Sequence, residues 1–306
     1  MLKKILISSD LSEASNALIN CTLDLKNIGV EEAVLSHVVV NELITEKTVI
    51  LDITRDEAAI NLLPLLEKQK AVLEDSGIKT TIEVAQHDAP ARAVNDLAEK
   101  HDVSAIVTGS HGKSIFKRAT IGSVSSHLLN ITRKPVILFR ANLTKPEGAE
   151  ILACRNLFDH ILYLTDFSEI AQKSLDYLEQ IVKYSRCKVN VLHTQDFVES
   201  STYIHRAPWL DGKQLAQVEA EHPIAINSDL EAIKQRLLAA GSTEVNFEYR
   251  KGKPKETTID YIKENKQLTL IVMGTQGKGF VKELFVGSLS LHLTRYSPIP
   301  ILLVPK

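Results

Sequence analysis

The sequence predicts an α/β protein built from two tandem domains, each a five-stranded parallel sheet with helices on both faces. Three observations support this fold class. Short runs of Ile, Val and Leu alternate with amphipathic helical patterns, one set of residues recurs in both halves, and 306 residues divide into two units of ordinary domain size. Strands of a parallel sheet are buried on both faces, which explains their continuous apolar character.

The elements of the first unit follow from the periodicity of its apolar residues. The predicted strands are 4–9, 33–40, 80–85, 105–108 and 136–139. The predicted helices are 12–25, 55–74, 90–100 and one that begins at Gly122. The second unit shows the same order, from a strand at 161–164 to a strand at 301–304.

An internal repeat sets the architecture. Asp10-Leu11-Ser12-Glu13 recurs as Asp166-Phe167-Ser168-Glu169, and His37 recurs as His193, at an offset of 156. Ten further identities share an offset of 165. They pair Gly109, Gly112, Lys113, Lys117, Gly122, Ser123, Ser125, His127, Leu128 and Pro135 with Gly274, Gly277, Lys278, Lys282, Gly287, Ser288, Ser290, His292, Leu293 and Pro300. The second copy has therefore gained nine residues, most of which we place in a loop within 200–226.

The join between the units lies where polar residues, a proline and a glycine interrupt the apolar pattern, at 141–150. We therefore divide the chain into a first domain at 1–142, a linker at 143–156 and a second domain at 157–306.

Composition excludes several classes of protein. Lys and Arg number 36 against 38 Asp and Glu, so there is no basic excess and nucleic acid is not an expected partner. No apolar run is long enough to span a bilayer, and the run after Lys3-Lys4 is too short for a signal peptide. We expect a cytoplasmic protein with no membrane partner.

The chain has three cysteines, Cys21, Cys154 and Cys187, and their spacing shows no pairing. This pattern predicts free thiols and argues against a disulfide framework or a zinc site.

The repeated glycines predict two phosphate-binding loops. Each copy follows an apolar strand and precedes a helix, where the first amides have no intrahelical partner and the helix dipole favours an anion. Ser123 and Ser288 either cap these helices or donate to a phosphate oxygen. The spacing does not fit a Walker loop or a dinucleotide fingerprint.

Two carboxylates stand at the ends of the first strands, Asp10 and Asp166. Ligands of parallel α/β sheets bind outside the carboxyl ends of the strands, so these side chains are candidates for a ribose or a metal-bound phosphate. The other interpretation is that Asp10 or Ser12, and Asp166 or Ser168, caps the next helix. His37 and His193 are expected to be satisfied by neighbouring backbone, and His127 and His292 to have packing roles.

The segment Tyr163-Leu164-Thr165-Asp166-Phe167-Ser168-Glu169, the pair Leu192-His193 and the G-x2-G-x9-G-S pattern resemble the universal stress protein family. The resemblance covers nearly the whole chain, in tandem. It implies the five-stranded parallel fold of the adenine nucleotide alpha hydrolase type. It also implies binding of ATP, ADP or AMP, because members with this glycine pattern typically bind an adenine nucleotide.

The resemblance assigns two sets of nucleotide-binding residues. The first set is Ser9, Asp10, Val38, Gly109, Gly112, Gly122, Ser123 and Val124. The second set is Thr165, Asp166, Thr194, Gly274, Gly277, Gly287, Ser288 and Leu289. No dedicated metal site is implied, and magnesium is expected only with a bound triphosphate.

The first unit departs from the family pattern at two positions, and we expect the second site to be the tighter one. The family's Gly-x-Pro after the third strand is kept as Gly252-Lys253-Pro254, whereas the first unit has Asp88-Ala89-Pro90. A carboxylate at this position can repel phosphate. The first unit also has Ser9 where the second has Thr165, which preserves the hydroxyl.

The leading functional hypothesis is a non-enzymatic adenine-nucleotide-binding protein in a stress or regulatory role. A slow ATPase or phosphotransferase is the second, although no repeated catalytic base or arginine finger lies near the loops, and no catalytic residue is assigned. A scaffold with vestigial sites is the third. The last strands, 136–140 and 301–305, are apolar and would leave exposed sheet edges unless they are paired. The resemblance implies that they pair with each other as an internal pseudo-dimer, and two chains are expected to form a homodimer.

Overall fold

The computed structural model describes residues 2–40, 55–110, 121–142, 150–151, 156–195, 212–277 and 286–306. Ten strands of these residues form one continuous sheet, and helices cover both of its faces.

The first unit contributes five of the ten strands. Its elements are β1 (Lys4–Ser8), α1 (Glu13–Thr22), a 3-10 helix (Leu23–Ile28), β2 (Glu32–Val39), α2 (Arg55–Asp75), β3 (Lys79–Gln86), α3 (Pro90–Lys100), β4 (Ala105–Gly109), α4 (Ser123–Ile131) and β5 (Val136–Phe139).

A short antiparallel ribbon of β6 (Ala141–Asn142) and β7 (Glu150–Ile151) leads out of the first unit and packs against α1. The second unit then repeats the first. Its elements are β8 (His160–Leu164), α5 (Glu169–Ser185), β9 (Lys188–Gln195), α6 (Gly212–Ala240), β10 (Glu244–Lys251), α7 (Pro254–Glu264), β11 (Leu270–Gly274), α8 (Ser288–Tyr296) and β12 (Ile301–Val304).

The strand order across the sheet is β10-β9-β8-β11-β12-β5-β4-β1-β2-β3. Within each unit all five strands are parallel, which confirms the predicted fold class. The two fifth strands pair antiparallel with each other, with Leu302 opposite Ile137. The strand order reverses between β1 and β4 and again between β8 and β11, so each unit has one switch point where a ligand can enter.

The core lies on both sides of this sheet. One face carries α1, the 3-10 helix, α2, α5 and α6, whose apolar side chains form a cluster that runs through both units. On the other face, α3 and α4 pack over the first unit and α7 and α8 over the second. Within the described part of the chain, no helix combines the length and the apolar character needed to cross a membrane.

Arg140 connects the two units at the end of β5. Its side chain is buried, and Nη1 donates to the carbonyl oxygen of Thr294 at 3.0 Å and to that of Arg295. These carbonyls belong to the last turn of α8. A cation at a helix C-terminus satisfies free carbonyl groups and opposes the negative end of the dipole.

Two predicted elements differ from the structure. The helix predicted at 12–25 ends at Thr22 and continues as a 3-10 helix to Ile28, where Gly29 turns the chain with a φ of 91°. The loop predicted at 200–226 is wrong from Gly212 onward, because α6 begins there. The buried residues Leu230, Ile233 and Leu237 anchor α6, and helix formation propagates readily from an anchored segment. Residues 200–211 lie outside the described residues.

The prediction of free thiols is wrong for Cys21, which is disulfide-bonded. Cys187 is free and buried, and Cys154 lies outside the described residues. Cys21 is on α1, the helix that packs against the β6–β7 ribbon. Sequence spacing did not reveal this pairing, because the pairing depends on how distant segments fold together.

Candidate functional site

The candidate sites lie at the two switch points, where β1 and β4 end in the first unit and β8 and β11 end in the second. Gly109 and Gly274 are the last residues of β4 and β11, and Gly122 and Gly287 are the N-caps of α4 and α8. Each predicted glycine loop therefore connects a strand end to a helix N-terminus, as its spacing indicates.

The same hydrogen bonds close both loops. The Gly122 amide donates to the Ser110 carbonyl at 2.6 Å, and the Gly287 amide donates to the Thr275 carbonyl at 2.6 Å. One turn into each helix, a serine hydroxyl donates back to the strand end. Ser125 reaches the Gly109 carbonyl at 2.6 Å and Ser290 the Gly274 carbonyl at 3.1 Å. These bonds give Ser125 and Ser290 a structural role and bring each helix N-terminus back to its strand.

The helices α4 and α8 begin without a side-chain cap, because glycine occupies each N-cap. Ser123 and Ser288 are the first helical residues, and both are exposed. Of the two uses considered for these serines, capping is therefore excluded. Their hydroxyls stand beside the first amides of each helix, which have no intrahelical acceptor.

Asp166 and Gly277 meet at the second switch point. The Oδ2 atom of Asp166 occupies the space that a Cβ atom at residue 277 would fill, so a side chain there would displace the carboxylate. Gly274 is restricted as well, because its Cβ would lie 2.7 Å from Cγ2 of Ile170 on α5. The equivalent of Gly277 in the first unit, Gly112, lies outside the described residues.

The serines cap the helices that follow the two aspartates. The Ser12 hydroxyl accepts from the Ser15 amide at 3.2 Å, and the Ser168 hydroxyl accepts from the Ala171 amide at 3.2 Å. Asp10 and Asp166 each accept, through Oδ1, from the amide of the capping serine at 3.1 Å. The aspartates thus orient the capping serines. Of the two candidates in each unit, the serine, Ser12 or Ser168, is the residue that caps the helix.

A strained residue follows each aspartate. Leu11 and Phe167 have φ values of 60° and 59°, in the left-handed region that favours glycine. Their amides donate to the hydroxyls of Ser9 at 3.2 Å and Thr165 at 3.0 Å. Strain of this kind occurs at sites where a side chain must be presented in one orientation. Here the strained backbone at Leu11 and Phe167 fixes the orientation of the preceding aspartate.

The two units differ in how they hold the aspartate. The Ser15 hydroxyl donates to Oδ1 of Asp10, and the Asp10 amide donates to the Ser15 hydroxyl at 3.0 Å. The corresponding residue of the second unit is Ala171, which has no hydroxyl. The first carboxylate therefore receives one hydrogen bond that Ala171 cannot supply in the second unit.

Ser9 and Thr165 are buried, and their backbone is held by the repeated histidines. The Nδ1 atom of His37 donates to the Ser9 carbonyl, and that of His193 to the Thr165 carbonyl, both at 2.8 Å. The prediction that the backbone satisfies these histidines is confirmed.

Val38 and Thr194 lie near the carboxyl ends of β2 and β9. Val38 and Val124 pack against the same apolar cluster, under α3 and α4, and Leu289 packs against its counterpart in the second unit. The structure thus brings these side chains to the face of the sheet that carries α4 and α8.

The Gly-x-Pro difference is visible at the third strands. Gly252 has a φ of 149°, and its Cβ would lie 2.6 Å from the Thr257 hydroxyl. Asp88 takes this place in the first unit, and its carboxylate is 74% exposed. Pro90 and Pro254 begin α3 and α7, where the missing amide hydrogen costs nothing.

Three residues of this arrangement were not identified from the sequence: Ser15, Gln69 and Ile170. The Ser9 hydroxyl donates to Oε1 of Gln69 at 2.8 Å across 60 residues of sequence, a contact for which the sequence offers no signal. Ser15 could have been found, because the repeat places it opposite an alanine. Within the described ranges, no group of three or more His, Cys, Asp or Glu side chains could hold a metal ion.

Comparison with known proteins gives the same architecture. The model of the universal stress protein family matches residues 1–140 and 157–305. A universal stress protein from Archaeoglobus fulgidus is 25% identical, with a TM-score of 0.71, and the match covers 100% of this chain and 99% of that one.

Two curated relatives each match one half of the chain. Universal stress protein MJ0577 of Methanocaldococcus jannaschii is 27% identical over 46% of this chain and 96% of its own length. Universal stress protein YxiE of Bacillus subtilis is 24% identical over 48% of this chain and 99% of its own length. With the repeated fold, the repeated loop geometry and two family matches, the chain belongs to the universal stress protein family.

Proposed function

We propose that each unit of this chain binds one adenine nucleotide, ATP, ADP or AMP, and that the chain acts as a non-enzymatic stress-response or regulatory protein. The observation that carries the proposal is that an oriented aspartate lies beside a glycine loop and an uncapped helix N-terminus at the second switch point. The described residues of the first unit repeat the oriented aspartate and the uncapped helix. Family membership supports it, because members with this glycine pattern typically bind adenine nucleotides.

In this proposal different residues bind the phosphates, the ribose and the adenine. The first amides of α4 and α8, with Ser123 and Ser288, bind the phosphates, since their donors point outward where the dipole is positive. Asp10 and Asp166 accept from ribose hydroxyls. The backbone at Val38 and Thr194 meets the adenine. Magnesium enters with a triphosphate, held mainly by phosphate oxygens.

Binding without efficient hydrolysis is the expected activity. Phosphoryl transfer needs a positioned nucleophile and additional positive charge at the transferred group. Asp10 and Asp166, the carboxylates at the two strand ends, are hydrogen-bonded to helix caps. They therefore serve better as ribose acceptors than as general bases.

We further propose that the second site is the tighter one, because Gly252 replaces the exposed carboxylate of Asp88. The proposed domain boundaries are 1–142 and 157–306, close to the two matched ranges. We also propose that the protein is cytoplasmic and that two chains associate.

The proposal is tested by placing a negative charge at each helix start. Ser123→Asp and Ser288→Asp change exposed first-turn residues, where an acidic side chain favours the helix, so folding is preserved. Each variant should lose ATP affinity at its own unit by about tenfold or more, as expected when a unit charge lies within a few ångströms of the phosphates. Ser123→Ala and Ser288→Ala are the matched controls and should lose less.

The measurement is isothermal titration calorimetry with MgATP, and with GTP as the specificity control. Unchanged ATP binding in both Asp variants would remove the phosphate assignment. Rapid phosphate release by the wild type, lost in the same variants, would favour the ATPase alternative. No binding of any nucleotide would favour the scaffold.

A further inference from the structure

A groove with a volume of about 350 Å³ lies between α1 and α2 of the first unit. Its apolar lining consists of Leu11, Ile19, Leu65 and Val72, and Leu65 and Val72 are exposed to solvent. Single exposed apolar residues need no explanation, but these two line one concave site. The volume falls within the range of roughly 300–1,000 Å³ found for small-molecule sites.

The polar lining of the groove consists of three carboxamide side chains and one cation. The cation is Lys68, which is exposed and has no ion pair with any residue that the structure describes. Asn16 and Asn20 add carboxamide groups at the α1 side. The floor is the buried Gln69, which accepts from Ser9 at 2.8 Å and donates to Asn16 at 2.7 Å. The groove therefore carries a positive charge and is one hydrogen bond away from Ser9.

In the second unit, the surface between α5 and α6 corresponds to this groove and is bridged by an arginine side chain. Helices α2 and α6 end in the same turn, with Gly77 and Gly241 at an offset of 164, so Arg236 is the counterpart of Val72. Arg236 spans from α6 to α5. It donates to Glu179 at 2.7 Å, Gln172 at 3.1 Å and Asp176 at 3.0 Å.

The acidic partners of Arg236 have no acidic counterparts in the first unit. The counterparts of Gln172, Asp176 and Glu179, at the α1 offset of 156, are Asn16, Asn20 and Leu23. The charged bridge of the second unit is thus replaced by an apolar groove whose single charge is that of Lys68. Among the described residues, no acidic side chain forms an ion pair with Lys68.

We propose that this groove binds a small amphipathic carboxylate, of the class of medium-chain fatty acids. The hydrocarbon chain lies against Ile19, Leu65 and Val72, where it removes their apolar surface from water. The carboxylate pairs with the Lys68 ammonium and accepts from the asparagine amides. This inference does not depend on nucleotide binding, because no candidate nucleotide residue lines the groove.

The test is calorimetric titration of the full chain with decanoate below its micelle concentration. Val72→Arg with Asn20→Asp introduces the counterparts of Arg236 and Asp176 into the groove and should abolish binding. Lys68→Glu, at an exposed position, should weaken binding by about tenfold or more, since it reverses the charge that faces the carboxylate. Leu238→Arg introduces an arginine at an exposed apolar position of α6 and should leave binding unchanged.

Decylamine, which has the same chain and the opposite charge, should not bind. The proposal is overturned if decanoate shows no saturable binding, or if decylamine binds equally well. It is also overturned if an apolar helical peptide binds and decanoate does not. Where the double variant fails to fold, as judged by circular dichroism, unchanged decanoate binding to Lys68→Glu is sufficient to overturn it.

Discussion

Asp166 and Gly277 are fitted to each other, since Oδ2 of the aspartate fills the space that glycine leaves empty. The two residues are 111 positions apart in sequence, on the loops that follow β8 and β11. Their contact explains why a side chain larger than that of glycine does not fit at residue 277 without moving the carboxylate. It keeps the carboxylate beside the loop that we propose for phosphate.

Gly277→Ala should therefore weaken nucleotide binding at the second unit by about tenfold, because the added methyl group forces the carboxylate to turn away. Asp166→Ala should have a similar effect. The double variant should lose no more than either single variant, since both changes remove the same interaction. Calorimetric titration with ATP measures this, and fully additive losses would show that the two residues act separately.

Ser15→Ala should lower the free energy of unfolding by about 1.5–3 kcal/mol, the usual range for a hydrogen bond to a charged group. The buried Ser15 hydroxyl donates to Asp10, and alanine removes this bond, whereas the bond from the Ser12 amide to the same carboxylate remains. Ala171→Ser is the reciprocal variant in the second unit. Urea denaturation measures both, and an unchanged midpoint for Ser15→Ala would contradict the assigned role.

Arg140→Met should destabilise the second unit by about 1.5–3 kcal/mol, because it removes a charged donor from the buried carbonyl of Thr294 and the partly buried carbonyl of Arg295. Burial lowers the pKa of the Arg140 guanidinium but leaves it charged. Arg133→Met is the exposed control and should change the stability by less than about 0.5 kcal/mol. Equal midpoints for the two variants in denaturant would argue against this anchoring role.

The Cys187 thiol should resist alkylation by iodoacetamide at pH 8 until the protein unfolds. Burial raises its pKa from 9.0 to about 11, so the thiol form is favoured in the native state. This thiol leaves the free energy of unfolding unchanged below pH 9 and lowers it as the pH rises towards 11, because the unfolded chain releases the proton first. Peptide mass spectrometry follows the modification. Fast labelling in native buffer would mean that this part of the core opens locally.

Local rules predicted much of the fold. Helix α3 and strand β5 have the bounds predicted from the sequence, 90–100 and 136–139, because proline sets the helix start and an apolar run sets the strand. The 3-10 segment after Thr22 was missed, since its distinction from an α-helix depends on packing. The start of α6 was missed because the extra residues of the second unit were assigned to a loop.

The parts of the candidate site that recur in both units were predicted from the sequence. Gly109, Gly122 and their counterparts lie at strand ends and helix starts because both copies conserve the spacing. The hydrogen bond from Ser9 to Gln69 and the disulfide at Cys21 depend on tertiary packing of distant segments. No sequence period encodes such contacts, so they became visible only in the folded chain.

The central claim is that each unit holds one adenine nucleotide, and native mass spectrometry of the chain titrated with MgATP tests it most directly. We predict a species with two nucleotides per chain for the wild type. At a MgATP concentration that just saturates the wild type, the species with one nucleotide should predominate for Ser123→Asp and for Ser288→Asp, and most of the double variant should carry none. A folded wild-type protein that carries no nucleotide, or a double variant that still carries two, would contradict the claim.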